Sequence, residues 1–122
     1  MDNLLTTFGE LIITFGEKTV KPPEYVAQNA KRGLEIRESL PDSQKCCTRV
    51  GLARAHQLAK MENISIKTLK RMKSFLSRHG ATIPSGDVDL NTKLSQAILI
   101  WGAYPSKEGI ERVIKWIDSV IE

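Results

Sequence analysis

Proline and glycine divide this chain into short pieces, and that constrains its fold more than any other feature. Pro22-Pro23, Pro41-Asp42-Ser43, the stretch 80–89 with Gly80, Pro84 and Gly86, and the turn 102–106 with Gly102 and Pro105 each interrupt regular backbone. Proline lacks an amide hydrogen and fixes φ, while glycine opens conformations closed to other residues. Between the breaks, apolar residues recur three and four positions apart, which is the spacing of one helix face. A helix is expected from Pro23, suited to a first turn, to about Glu38. A second is expected over about Thr48 to Met61, and a third from Ser65, a good N-cap, to Gly80 in the C′ position. A fourth carries Leu90, Leu94, Ile98 and Trp101 on one stripe. A fifth follows Ser106 and carries Ile110, Val113, Ile114, Ile117, Val120 and Ile121. No hairpin or βαβ pattern is evident. With 122 residues the chain has one domain's length. The expected fold class is all-α, a compact bundle of five to six short helices with a helix-turn-helix-like pair.

The N-terminal residues 1–21 read as an amphipathic extension preceding a single helical domain over 22–122. They contain a seven-residue repeat, Thr7-Phe8-Gly9-Glu10 and Thr14-Phe15-Gly16-Glu17. Leu4, Leu5, Phe8, Leu11, Ile12 and Phe15 fit one helix face. Two glycines weaken that helix by roughly 1 kcal/mol each, and a strand through Leu11–Phe15 is the alternative. A helix resting on the protein's own core is favoured over a docking or dimerisation helix.

The formal charge of +4 conceals a strong asymmetry. Residues 31–78 carry twelve basic side chains against four acidic ones, while the flanking segments are each mildly acidic. A basic module attracts phosphate backbones, acidic partners or anionic lipid. On a helical wheel the third helix splits into two faces. Thr68, Leu69, Met72, Phe75, Leu76 and His79 share one arc, and Lys67, Lys70, Arg71, Lys73, Ser74 and Arg78 share the other.

The approach to that helix resembles a helix-turn-helix. Ala59 supplies the small residue such a motif needs where its helices cross. Asn63, four residues on, occupies the turn position that demands positive φ. Ile64, Leu69 and Met72 stand at the locking offsets, and Asn63-Ile64-Ser65 through Arg71 resembles the repressor-type motif. Glu62 departs from it and would repel phosphate. The expected nucleic-acid-binding residues are Ser65, Lys67, Lys70, Arg71, Ser74, Arg78 and Arg54. In that arrangement Arg71 reads guanine, and Lys67, Lys70 and Lys73 meet phosphates.

Several ordered stretches resemble a small helical domain of tailed bacteriophages and prophages. They are Pro22-Pro23, the run from Ala30 to Arg37, the run from Val50 to Ala55, the residues from Ser65 to Met72, Phe75 to His79, and Ile100-Trp101-Gly102. The resemblance covers about residues 22–104. It implies a phage or prophage origin and a cytoplasmic setting in the host cell during infection, with virion association as a further option. The family's biochemical role is not established, so the resemblance brings context rather than mechanism. The chain departs from the pattern in the loop after His79, at Ala103, and in its longer terminal helix.

Other polar residues carry less. His79 lies on the apolar arc and reads as a buried, hydrogen-bonded structural histidine. Arg54 is positioned to pair with Glu35 or Glu38. Gly33 and Gly51 inside helices suggest close helix–helix contact. Trp101 and Trp116 read as core or interface anchors. Cys46 and Cys47 are adjacent, a geometry that rarely bridges, so a reduced chain is expected. With His56 and His79 they match no zinc spacing, and no metal or cofactor is expected. Cys47 with His56 lacks an orienting carboxylate, and no phosphate loop, HExxH or GxSxG is present, so an enzyme is not expected. No apolar run approaches a bilayer span and the N-terminus has no signal-peptide character, so no membrane partner is expected. Two functions remain: a phage-type protein binding nucleic acid (DNA) through the basic element, or a phage accessory or virion protein acting through a protein partner or homodimer.

Overall fold

The computed structural model describes residues 19–83 and 89–121. The repeat-bearing segment expected to form an amphipathic extension lies outside them except for its last residues, as does most of the loop containing Pro84 and Gly86. Five α-helices make up the described chain: α1 (Glu24–Glu38), α2 (Arg49–Ala59), α3 (Ile66–Gly80), α4 (Lys93–Ile100) and α5 (Lys107–Ile121). A 3₁₀ turn at Asp42–Gln44 follows Pro41, and two short strands, β1 (Thr19–Val20) and β2 (Ile64–Ser65), pair antiparallel. The protein is an all-α bundle, as its periodicity predicts.

Four of the five helices, all but α1, begin where a side chain takes over an orphaned amide. Thr48, Ser65 and Thr92 accept from the amides of Gly51, Thr68 and Ser95, and the Ser106 hydroxyl accepts from Gly109 at 3.0 Å. Such caps contribute about 1 kcal/mol each. Pro23 stands one residue earlier than expected, as the extended N-cap of α1 rather than in its first turn.

The helix ends correct the sequence reading. Helix α2 stops at Ala59, and the left-handed residue is Met61 (φ 56°), not Asn63. The Glu62 amide donates to the Gln57 carbonyl and the Met61 amide to that of Leu58, the paired bonds of a Schellman termination. Gly80 is not a C′ residue either. It closes the last turn of α3, and the right-handed Ala81 caps it. Helix α4 starts at Lys93, three residues later than expected, and ends in a second Schellman turn at Gly102 (φ 95°). A Cβ on Gly102 would lie 2.6 Å from Val26 Cγ1, so only glycine suits both the conformation and the contact.

Packing divides the helices into two groups around a shared core. Helix α1 lies against α2 and α4, while α3 lies against α5. Val26 and Ala30 of α1, Leu58 of α2, Leu69, Met72 and Leu76 of α3, Ile98 of α4 and Ile110, Val113 and Ile117 of α5 fuse them into one cluster. Trp101 and Trp116 are partly buried against it. A satellite cluster of Cys46, Ala55 and Ile100 fills the wedge between α1, α2 and α4. Gly33 permits the close approach of α1 to α4, since a Cβ there would stand 2.8 Å from Leu99 Cβ. Gly51 does not have that role. A Cβ on it would meet only Thr48 Oγ1 at 3.6 Å and Cys47 Cβ at 4.0 Å, ordinary contact within its own helix start.

Two polar devices tie distant parts together. The fully buried Gln96 accepts the Cys46 amide hydrogen (3.0 Å) and donates to the carbonyls of Gln44 (2.9 Å) and Asn91 (2.8 Å). It satisfies backbone that would otherwise be stranded against α4. Tyr25 of α1 donates its hydroxyl to the Arg112 carbonyl of α5, and the Arg112 guanidinium lies 3.7 Å from the ring centre. Burial pushes the Tyr25 phenol above its usual pKa, against the opposing pull of Arg112.

Candidate nucleic-acid interface

The expected binding residues converge on α3, whose two faces separate as the wheel predicts. Thr68, Leu69, Met72 and Leu76 are buried, and Phe75 is half-buried. Lys67, Lys70, Arg71, Ser74 and Arg78 are all exposed. Their spacing of three or four residues aligns them along one side of the helix. From Lys67 to Arg78 the stripe runs about 16 Å at 1.5 Å per residue. No carboxylate interrupts it, because α3 contains no acidic residue. The helix N-terminus at Lys67 adds the positive end of the backbone dipole.

Two residues of the expected set, Ser65 and Arg54, and the neighbouring Lys73 are engaged within the fold. Ser65 is half-buried and acts as the cap of α3, accepting from the Thr68 amide (3.2 Å) and donating to the Thr68 hydroxyl (3.1 Å). Lys73, assigned to phosphate by the wheel, instead reaches Asp118 of α5 at 2.5 Å, so it belongs to the α3–α5 contact. Arg54 lies on α2, half-buried, and donates to Gln57 (3.3 Å) rather than pairing with Glu35 or Glu38. Arg37 is the arginine tied to Glu38, at 3.5 Å, and its Nε also donates to the Cys46 carbonyl.

The turn before α3 differs from a standard helix-turn-helix. Its left-handed residue is two positions early, and β1 pairs with the residues entering α3, Val20 opposite Ile64 and Thr19 opposite Ser65. Periodicity cannot detect a two-residue bridge, so the sequence contains no usable signal for it. Glu62 is exposed in this turn. His79 is half-buried, and its ring meets that of Phe75 at 4.5 Å between centroids, tilted by 53°; Phe75 in turn meets Trp101 at 5.5 Å. The aromatic groups of α3 are therefore committed to packing. Lys31 and Arg32 are also exposed, along a shallow surface on α1 with Gln28 and Asn29. The sequence counted them in the basic module without separating them from the rest.

The cysteines contradict the expectation of free thiols. Cys46 and Cys47 are joined as a disulfide, with Cys47 in the left-handed region (φ 92°). Among the described residues, no three metal-ligating side chains come together, and no helix is long and apolar enough to cross a membrane. No family model, curated protein or solved structure matches the chain.

Proposed function

We propose that this protein binds nucleic acid through the exposed stripe Lys67, Lys70, Arg71, Ser74 and Arg78 on α3. The observation that carries the reading is a basic face without a carboxylate on a helix whose other face packs into the core. Four cations along about 16 Å match the spacing of successive phosphates better than a single anionic group. The altered turn before α3 favours backbone contact over the base reading expected of a repressor-type helix. The resemblance of residues 22–104 to a tailed-phage helical domain supports a setting in an infected host cell, and that setting is part of the proposal.

The test is binding of a labelled 20-base-pair DNA duplex by fluorescence anisotropy between 50 and 200 mM salt. Three to four neutralised phosphates predict a log–log slope near −3, a loss of roughly sixtyfold over that range. Replacing Lys67, Lys70 and Arg71 by alanine should remove binding while leaving the helical circular dichroism intact, because none of the three is buried. No binding at 50 mM salt refutes the reading. Retention of one protein from a phage-infected lysate by the same stripe would then favour the interaction-protein alternative.

A further inference from the structure

We infer that Cys46 and Cys47 form a redox-active pair that exchanges with small-molecule disulfides of the glutathione class, with Cys47 as the attacking thiol. The two sulfurs meet in a bond between neighbouring residues, so the fold already brings them into reach of each other. Their surroundings are unequal. Cys46 is 6% exposed within the wedge formed with Ala55 and Ile100, whereas Cys47 is half-buried at its rim. Cys47 is therefore the more accessible residue of the two.

The backbone around the pair is held from both sides. Gln96 fixes the Cys46 amide and Arg37 the Cys46 carbonyl at 2.8 Å. Thr48, next in the chain, is the N-cap of α2. Cys47 thus precedes the positive end of a helix dipole. Arg37 reaches the pair only through the Cys46 carbonyl and also meets Glu38 at 3.5 Å, while Lys45, the preceding residue, pairs with Asp42 at 3.4 Å. The left-handed Cys47 backbone lets the chain turn into α2.

The exchange balances as follows. The Cys47 thiolate attacks R–S–S–R, forming Cys47–S–S–R and releasing RS⁻, which takes up a proton. Cys46 loses its proton and attacks the Cys47 sulfur, displacing the second RS⁻. The protein's two thiols are oxidised to one disulfide, and the small disulfide is reduced to two R–SH. The reverse sequence opens the pair.

The experiment equilibrates the full chain with glutathione redox buffers, quenches with acid, alkylates and weighs the protein. The expected result is a single two-thiol transition, with both cysteines becoming unreactive together. Cys46→Ser should accumulate a glutathione adduct at Cys47, and Cys47→Ser should react at least about tenfold more slowly, in line with its buried sulfur. Circular dichroism and thermal melts of both variants confirm that they are folded when assayed. Two thiols that alkylate independently across the whole buffer range overturn the inference. Equal adduct rates in the two folded single-cysteine variants overturn the assignment of Cys47.

Discussion

Gln96 offers the sharpest test of how this bundle holds its loops. Replacing it with leucine keeps the volume approximately and removes every polar contact. Three hydrogen bonds disappear, to the Cys46 amide and to the carbonyls of Gln44 and Asn91. The Cys46 amide sits in a residue only 6% exposed, so it stays unsatisfied at a cost of about 1–3 kcal/mol. Gln44 and Asn91 are exposed residues whose carbonyls water can reach, so each loss costs about 0.5–1 kcal/mol. Together the expected destabilisation is about 2–5 kcal/mol, a large part of a small domain's stability. Urea denaturation followed by circular dichroism measures it, read from a lower midpoint at unchanged slope. Amide exchange adds a local readout: Cys46 should be protected in the parent and exchange at loop rates in the variant. Gln96→Glu sharpens the test further. Its carboxylate would face two carbonyl oxygens without a donor, which raises its folded-state pKa. That variant should be more stable below the usual carboxylate range and lose stability as pH rises through the raised value. A Gln96→Leu cost under about 1 kcal/mol, with Cys46 still protected, refutes the reasoning.

Gly33 and Gly51 should respond in opposite directions to alanine. Gly33→Ala forces a methyl to 2.8 Å from Leu99 Cβ and 3.0 Å from the Ile100 amide nitrogen, costing about 1–3 kcal/mol by denaturant melt despite better helix propensity. Gly51→Ala meets open contact distances and should be neutral or stabilising by up to about 1 kcal/mol. Tyr25 supplies a pH signature, since its phenol is raised by burial in the folded state. Its contribution is complete below the unfolded value of 10.0 and is lost as pH rises through the folded value. Tyr25→Phe should flatten that alkaline fall in melts taken across the range, and an unchanged slope would remove Tyr25 as its source.

How much of this was legible beforehand depends on how local each cause is. The five described helices, the cap at Ser65, and the inward face of α3 follow from side chains within a few residues of one another. Periodicity says which face must leave water, and a hydroxyl one residue before a helix says where it starts. The basic stripe is legible for the same reason: Leu69, Met72 and Leu76 on one side leave Lys67, Lys70, Arg71 and Arg78 on the other. Lys73 shows where that logic stops. Its wheel position borders the stripe, and only Asp118, 45 residues away, draws it to α5.

The sequence by itself determined an all-α chain with a basic helix face, because hydrophobic spacing, prolines and capping residues act over single turns. Tertiary structure decided which helix covers which. It made Gly33 a contact and Gly51 a spare position, chose Met61 over Asn63 for the left-handed turn, and set β1 beside the entry to α3. It also brought Gln96 to Cys46 across 50 residues. These outcomes depend on partners distant in the chain, whose approach is selected by the packing of the whole core and leaves no periodic mark in the residues themselves.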